Sequence, residues 1–464
     1  MKNKIILLLL LTTIVTSSAV NAAPQKRENK EAQDIYRITL TDKKGTKHSL
    51  RHPEKFLSPR SLERRARQGL TIDSTDLPVS DAYLKQIAKT GAKVLGQSKW
   101  LNTVLINGCN AERLSKIGKL NCVTKIEKVW AAPDTLYAPA VRDEITRSEV
   151  GTAKPDATYY GNGETQIDML GGKVLHDAGY RGQGMMIAVV DGGYMNADKI
   201  KLMDNIKILG TKNFAPTHPE SIFSEVDHGT MVLSCIGMNR PGIFVGTAPE
   251  AEFWLLRSEV NDYEQVVEED YWVHAVEFAD SVGADIISSS LGYQNFETKT
   301  GDHKYSDQNG QTATNSRAAS MVARKGMILV NSAGNFGRGS WKKINCPADA
   351  HNILAVGAVY ANRVNTDFSS IGPSADGRVK PDVMSMGGGS TVVDGTGEVT
   401  TANGTSFATP ILTGMVACLW QAHPTMTAME IMNIVRRCGD SYEEPNNIFG
   451  YGIPDFGKAH KMAR

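Results

Sequence analysis

One serine stands in a segment suited to nucleophilic chemistry. Ser406 lies within residues 403–410, which read NGTSFATP and lead into the apolar run ILTGMVACLW. This pattern predicts a serine at the start of a buried helix, where free N–H groups and the positive end of the helix dipole favour a developing anion. A serine hydroxyl also needs a neighbouring base, which a third group must orient. The hypothesis therefore requires a histidine and a carboxylate in comparable settings.

Three upstream residues at the ends of predicted elements meet this requirement. Asp191 ends the apolar strand MMIAVVD before two glycines, where a carboxylate can be buried and can orient a histidine. His228, in VDHGTMVLSCIGM, begins an apolar helix, and an imidazole there can act as a general base. Asn335 closes MILVNSAGN, and its amide can donate to an oxyanion together with the backbone N–H of Ser406. Taken singly, each has a simpler explanation as a turn residue or a structural histidine.

The acid, the base and the nucleophile follow one of the three chain orders known for unrelated Ser-His-Asp triads. The segments VVDGG, DHGTMV, SSSLG, NSAGN and GTSFATP resemble the motif set of the subtilisin-like serine proteases, the subtilase or peptidase S8 family. The resemblance runs from about Glu164 to the final YGIPDFGKA. It implies Ser406 as the nucleophile and His228 as general base and acid. It also implies Asp191 as the group that orients His228, and Asn335 as the oxyanion donor.

The same resemblance implies two segments that bind substrate: Ser290, Leu291 and Gly292, and Ser332, Ala333 and Gly334. The first would pair with the substrate backbone as an added strand, and the second would form the other wall of the primary pocket. Two positions depart from the family pattern. Gly193 stands where a hydroxyl residue before glycine is more usual, and Phe407 stands where methionine is more usual after the serine. Neither departure removes a catalytic group.

The elements that must position these residues indicate an α/β fold. From residue 164 to residue 464, helical patterns alternate with unbroken apolar strands, which is typical of a parallel sheet covered by helices on both faces. Ligands of such sheets bind at the carboxyl ends of the strands, where the candidate residues fall. The segment TQIDMLGGKVLHDAGY, residues 165–180, is predicted to be a helix, and its His176 is interpreted as structural. This region is the expected catalytic domain.

Residues 23–130 predict a small α+β domain of the ferredoxin-like kind. The order is strand, helix, strand, strand, helix, strand, the split βαβ plan. An inserted segment, FLSPRSLERRARQG, predicts a further helix with Ser58 as N-cap and Pro59 at its first position. Its arginines are interpreted as a solvated basic face, with a binding face as the alternative. By resemblance, this is a propeptide that assists folding and inhibits the enzyme.

The two ends of this domain carry processing signals. Residues 1–22 have a lysine-bearing start, an apolar core and a small-residue exit, which indicates a secretory signal peptide cut after Ala22. The apolar core is too short for a membrane anchor. The protein is therefore expected to be exported, either secreted or periplasmic. Residues 131–163 carry three prolines without periodicity and predict a linker that holds the processing site; a permanent amino-terminal domain would need no cut.

The balance of charged residues in the chain bears on which classes of partner it can bind. A formal net charge of +1 gives no field that would attract nucleic acid or an anionic membrane. The expected partners are protein or peptide substrates and the chain's own propeptide. No cofactor is expected to be required; the resemblance implies that calcium can stabilise the fold, but the sequence assigns no metal ligands. The six cysteines have no CxxC pair, so buried free thiols are expected.

Two other classes of protein compete with a secreted endopeptidase. A catalytically silent binding module would keep the scaffold but would be expected to have lost at least one catalytic residue. An esterase is disfavoured because the serine is not flanked in a GxSxG pattern. Fluorophosphonate labelling of the wild-type protein and of a variant that lacks Ser406 distinguishes an enzyme from a silent binding module.

Overall fold

A computed structural model describes residues 34–131, 147–149, 158–215, 221–261, 263–297 and 301–464, with only the backbone described for 147–149. The expected signal peptide, residues 1–22, and most of the expected linker lie outside these ranges, so both stay predictions. Within the described ranges, no helix combines the length and the apolar character that a membrane crossing needs.

The amino-terminal domain contains an antiparallel sheet of four strands in the order β2-β3-β1-β4. Its elements are β1 Ile35–Leu40, α1 Pro59–Arg67, α2 Asp81–Ala88, β2 Lys93–Ser98, β3 Thr103–Asn107, α3 Ala111–Gly118 and β4 Val123–Trp130. The predicted α+β plan is therefore present, with α1 as the inserted helix. Ser58 caps α1, since its hydroxyl accepts from the Ser61 N–H at 3.2 Å.

Side chains of β3 point alternately to the two faces of the sheet, and this explains how the sheet packs. Val104 and Ile106 point into a small core shared with Ile87 of α2 and Ile117 of α3. Leu105, between them, points to the opposite face and packs against residues of the second half of the chain. Because side chains of a strand alternate between faces, one strand serves both contacts. One face of the sheet is thus covered by the helices of its own domain, and the other face packs on the second half of the chain.

The second half is built on seven parallel strands in the order β14-β13-β12-β11-β6-β10-β7. Its strands are β5 Arg147–Glu149, β6 Met186–Asp191, β7 Lys207–Asn213, β8 Asn239–Arg240, β9 Phe244–Val245, β10 Glu252–Arg257, β11 Ile286–Ser289, β12 Ile328–Ser332, β13 Leu354–Tyr360, β14 Val383–Gly388, β15 Ser390–Val393 and β16 Val399–Ala402. Its helices are α4 Glu164–Asp168, α5 Lys173–Asp177, α6 His228–Gly237, α7 Val267–Val282, α8 Thr314–Ala319, α9 Thr405–Ala422, α10 Ala428–Arg437 and α11 Phe456–Met462. Strands β15, β16 and β5 form a smaller sheet, and short 3-10 helices lie at Pro53–Lys55, Lys201–Met203, Tyr305–Asp307 and Val322–Lys325.

Helices cover both faces of the large sheet, as the apolar strands predicted. Ile187 and Val189 of β6 pack in one core with α6 and α9. Ala188 and Val190 of the same strand pack in another core with α7 and α8. Every residue of β6 is buried, which a strand enclosed on both faces requires. The predicted α/β architecture is confirmed.

Two arginines of α1 are buried, so the interpretation of the arginines as a solvated face is wrong for Arg64 and Arg65, while Arg67 is exposed. Arg64 and Arg65 are only 0% and 2% exposed, because α1 docks on the C-terminal end of α7. Asp280 accepts from Arg64 Nη2 at 2.5 Å and from Arg65 Nη2 at 3.0 Å. Arg64 also donates to the backbone oxygens of Ala284 and Lys325. A binding face, the alternative reading, describes this helix.

The sheet of the amino-terminal domain also docks on α7. Glu277 accepts from the Ser98 hydroxyl at 2.5 Å and from the backbone N–H groups of Lys99 and Trp100 at 2.8 Å and 3.0 Å. At the other end of the interface, Arg37 binds Asp270 through two hydrogen bonds of 2.7 Å and 2.5 Å. The Asp270 carboxylate raises the pKa of Arg37 further above its already high value. Buried ion pairs therefore join the two halves of the chain.

The helix predicted over residues 165–180 is instead two short helices, α4 and α5. Gly171 between them has φ +62°, which ends a right-handed helix. A Cβ atom at Gly172 would collide with the sulfur of Met415 on α9. Close packing on α9 thus explains the absence of a side chain at position 172, while the break itself lies at Gly171, and the pair of glycines is a local signal for it.

All six cysteines are free thiols, five of them buried and Cys109 partly so. Burial raises the pKa of the Cys438 thiol to about 12. The reactive form of cysteine is the thiolate, so Cys438 is unreactive at neutral pH.

Candidate active site

Ser406 is the second residue of α9. Its backbone N–H lies in the first helical turn, where no intrahelical acceptor exists, so it is available to a ligand. Sixteen of the 18 residues of α9 are buried, and Ser406 itself is 9% exposed. The helix start therefore presents the serine at the edge of a densely packed core.

Asn335 is oriented by the residue before this serine. Its Oδ1 accepts from both the backbone N–H and the hydroxyl of Thr405, each at 2.9 Å. Because a backbone N–H can only donate, the atom facing it must be the amide oxygen, and the NH₂ group lies on the other side. A Cβ atom at Gly404 would be 3.6 Å from that Nδ2. Asn335 thus holds a donor beside the start of α9.

Replacing Asn335 with alanine is expected to lower turnover by about 10²- to 10³-fold, the effect of removing one oxyanion donor. The Michaelis constant should change much less, because the hydrogen bond strengthens mainly in the transition state. Steady-state kinetics on a peptide substrate measure both. A change in the Michaelis constant alone would make Asn335 a residue for ground-state binding instead.

Asp191, which is fully buried, and His228, which is 16% exposed, form a pair where β6 ends and α6 begins. The distance from His228 Nδ1 to Asp191 Oδ1 is 2.7 Å, and the Gly192 N–H donates to the same oxygen at 2.8 Å. Burial by itself would lower the pKa of His228, but the charge and hydrogen bond of Asp191 outweigh it, so the pKa is raised above 6.5. A carboxylate at Nδ1 leaves Nε2 to accept a proton.

Two glycines, Gly193 and Gly229, allow the segment after Asp191 and the start of α6 to lie close together. The Gly229 N–H donates to the Gly193 carbonyl at 2.9 Å, and a Cβ atom at Gly229 would collide with that oxygen. A Cβ atom at Gly193 would collide with the carbonyl of Glu225. The glycine at position 193 therefore has a steric reason in this chain.

The structure brings Ser406 and His228 into one site without joining them by a hydrogen bond within the described contacts. The Ser406 hydroxyl donates to the Ser290 carbonyl at 3.4 Å, which is a weak bond. The ring of Phe407, the next residue, lies 5.8 Å from the His228 ring between centroids. Bonds of this kind are often long or misaligned before substrate binds. Pairing with His228 requires the hydroxyl to leave the Ser290 carbonyl.

The two predicted substrate segments are neighbours in the structure. Residues 290–292 follow β11, and residues 332–334 end and follow the adjacent strand β12. The Asn331 amide joins the segments, since it donates to the carbonyls of Leu291 and Ser332 at 3.2 Å and 2.9 Å. Ser290 is tied to the nucleophile, because its hydroxyl donates to the Ser406 carbonyl at 2.7 Å. Both segments therefore lie at the same sheet edge as Ser406.

His176 lies outside this group, in keeping with the interpretation of it as structural. It is 1% exposed, and its two ring nitrogens contact the Tyr160 hydroxyl at 3.2 Å and the Thr247 carbonyl at 3.0 Å. Burial lowers its pKa to about 4, so the ring is neutral at physiological pH.

Two residues of the site escaped the sequence reasoning. Thr405, which orients Asn335, lies inside the motif GTSFATP, but its hydroxyl donates to a residue 70 positions away, which the local pattern does not show. Asn345 lies between the two substrate segments and precedes Cys346 in a stretch with no strand or helix pattern. No local signal marks it, because its position depends on two strands that are distant in sequence.

The described residues offer no evident metal site. Across the described ranges, no group of three or more histidine, cysteine, aspartate or glutamate side chains is arranged to hold a metal ion. The calcium implied by the resemblance therefore stays a prediction with no ligands assigned among the described residues, and no step of the chemistry is derived from it.

Comparison with known proteins matches both halves of the chain. Residues 182–452 match the model of the subtilase family, Peptidase S8, and residues 35–142 match the peptidase S8 propeptide domain of Bacteroidota. Subtilisin NAT from Bacillus subtilis subsp. natto is 28% identical over 331 residues, which are 70% of this chain and 78% of the relative. Subtilisin Savinase from Lederbergia lenta is 28% identical over 285 residues, 60% of this chain and 91% of the relative.

Proposed function

The chain belongs to the subtilase family, with the family's propeptide domain before the catalytic region, and from this premise we propose a secreted serine endopeptidase made as a zymogen. The observation that carries the catalytic part is the 2.7 Å contact between His228 Nδ1 and Asp191 Oδ1 next to the helix start that holds Ser406. The proposed domains are a signal peptide over residues 1–22, a propeptide over 23–130, a linker with the processing site over 131–163 and a catalytic domain over 164–464.

The proposed reaction uses four side chains. Ser406 Oγ attacks the peptide carbonyl while His228 Nε2 takes its proton, and His228 later gives that proton to the leaving amine. Asp191 keeps the proton of the neutral ring on Nδ1 and stabilises the imidazolium that forms. The Asn335 amide and the Ser406 N–H donate to the oxyanion of the tetrahedral intermediate. No cofactor takes part in this scheme.

The proposed substrate is an extended peptide. Residues 290–292 pair with its backbone, and residues 332–334 form the opposite wall of the primary pocket. Main-chain pairing accepts many sequences, which is consistent with an enzyme for protein or peptide substrates. Nucleic acid is not a proposed partner.

The contacts of the propeptide support its role as an inhibitor. Ala131, which follows β4, exchanges two hydrogen bonds with the side chain of Gln265, of 2.8 Å and 3.1 Å. The loop of Gln265 lies beside the continuation of the substrate strand, since the Tyr293 hydroxyl donates to Glu259 and the Glu297 N–H donates to the Glu264 carbonyl at 3.0 Å. The chain thus leaves the propeptide near the proposed substrate site.

Maturation tests the zymogen proposal. Wild type should yield a species that begins between residues 131 and 163, while Ser406→Ala should stay at full length. Amino-terminal sequencing and intact mass distinguish the two. The separately made domain, residues 23–130, should inhibit the mature enzyme. If wild type retains the domain and the separate domain fails to inhibit, the zymogen proposal is wrong while the protease assignment survives.

A pair of variants on α1 sharpens this test. Arg64→Ala in the separate domain removes one partner of a buried ion pair, which costs about 3–5 kcal/mol and should raise the inhibition constant by about 100-fold or more. Arg67 is the matched control, because its side chain is 45% exposed and lies 3.8 Å from Asp285. Arg67→Ala should change inhibition by only a few fold, as for surface ion pairs. Circular dichroism shows whether each domain is folded.

A further inference from the structure

Asn345 lies at the base of the space between the two substrate walls. Its backbone N–H donates to the Ala333 carbonyl of the second wall at 3.3 Å. The next residue, Cys346, exchanges hydrogen bonds of 2.7 Å and 3.1 Å with Tyr293, which directly follows the first wall. The chain at Asn345 therefore crosses from one wall to the other.

The side chain of Asn345 fills the space that two glycines leave open. A Cβ atom at Gly292 of the first wall would collide with its amide group. A Cβ atom at Gly334 of the second wall, where φ is +108°, would lie 3.2 Å from its Cγ and Oδ1. An amide within contact of both walls occupies the gap between them. The two glycines therefore accommodate this amide, and the Ser370 hydroxyl oxygen also lies close, 3.0 Å from a Cβ atom at Gly334.

Internal hydrogen bonding does not account for this placement. Asn345 is 5% exposed, and its Oδ1 has no hydrogen-bond partner among the described residues. A buried amide oxygen without a partner costs stability, so a position that keeps one calls for another explanation.

The segment around Asn345 is also held firmly. Ile344 donates from its N–H to the Ile371 carbonyl at 3.0 Å, and its own carbonyl accepts from Trp341 Nε1 at 3.1 Å and from the side chain of Gln308. Ile344 and Cys346, on either side, are both fully buried. The backbone at Asn345 therefore cannot shift without disturbing these contacts.

We propose that Asn345 sets the specificity of the primary pocket by closing it to large side chains. The residue immediately before the cut bond is then glycine, alanine or serine, and aromatic and long aliphatic residues are excluded. This proposal rests on the proposed function, because it takes residues 290–292 and 332–334 as the walls that receive substrate. Its physical basis is steric: the amide and a bulky side chain cannot share the gap.

The test compares two peptide substrates that differ only in having alanine or phenylalanine before the cut bond. The enzyme is the matured product of the full chain, and its active sites are counted with a fluorophosphonate. Wild type should favour the alanine substrate in kcat/KM by at least about 10-fold, the lower limit for one misfitted methylene. Asn345→Gly should raise the ratio of phenylalanine to alanine by at least about 10-fold. Asn345→Leu, which keeps the number and branching of the side-chain heavy atoms and removes the polarity, should still exclude phenylalanine.

Three outcomes overturn the proposal. Wild type that cuts after phenylalanine as well as after alanine has an open pocket. An unchanged ratio in Asn345→Gly means that another residue closes the pocket, and a raised ratio in Asn345→Leu means that polarity and not size excludes the ring. Should Asn345→Gly not fold, the cleavage sites of wild type in a peptide library decide alone. Absence of both labelling and hydrolysis would instead contradict the proposed function.

Discussion

Ser406→Ala is expected to abolish peptide hydrolysis while leaving the fold intact. Loss of a triad serine lowers turnover by about 10⁶-fold, and the oxyanion donors and substrate binding leave only about 10³- to 10⁴-fold over water. The change removes one hydroxyl whose hydrogen bond, to the Ser290 carbonyl, is 3.4 Å long. Stability should therefore change little. Steady-state kinetics measure the loss, and thermal unfolding followed by circular dichroism measures the fold.

A second serine provides the control for this experiment. Ser441 follows α10, and its hydroxyl contacts Asp440 at 3.4 Å, a bond as weak as that of Ser406. Ser441→Ala removes the same atom and should keep both hydrolysis and fluorophosphonate labelling. If Ser406→Ala hydrolyses peptides at the wild-type rate, the nucleophile is another residue, and the catalytic roles proposed for all four side chains are wrong.

Asp191→Asn is expected to lower turnover by about 10⁴-fold, because an amide no longer holds the imidazole in the required tautomer. It should also shift the pH dependence of the remaining activity. In the proposed mechanism the neutral imidazole is the base, so the rate should rise with pH through the pKa of His228. In wild type, Asp191 raises that pKa above 6.5, and the acid limb of kcat/KM should lie above this value. Without the carboxylate, burial lowers the pKa, so the limb should move to lower pH.

Asp227 provides the matched control, since its charge also raises the pKa of His228 but contributes less than Asp191 does. Asp227→Asn should move the acid limb of kcat/KM in the same direction by a smaller amount and should keep most of the turnover. Profiles of kcat/KM against pH for the three enzymes give the comparison. An acid limb that stays in place in Asp191→Asn would mean that His228 is not the group that titrates.

The main features of the sheet could be predicted because its buried strands are unbroken apolar segments in the sequence. The same rule missed β7, an edge strand with several exposed and half-buried residues, and β14, which ends in glycines. The positions of Asp191, His228 and Asn335 were accessible for a related reason. Each lies where an apolar element starts or ends, and parallel topology gathers such points at one edge.

What could not be predicted depends on residues far apart in sequence. The partner of Arg64 and Arg65 is Asp280, more than two hundred positions away, so the local pattern of α1 looked like an exposed basic helix. The close packing of Gly172 against the sulfur of Met415 likewise joins residues far apart in sequence. Asn345 is recognisable only once Gly292 and Gly334 are seen to face it.

The burial of α9 has a consequence for how the site is lost when the protein unfolds. This helix packs against β11, β12, β13, β14 and α6, so the serine it carries is fixed by the centre of the molecule and not by a mobile loop. A fluctuation that shifts Ser406 relative to His228 must open that centre, and such openings cost nearly as much as complete unfolding. Loss of the catalytic arrangement and loss of the domain's structure are therefore expected to occur together, over the same range of temperature or denaturant.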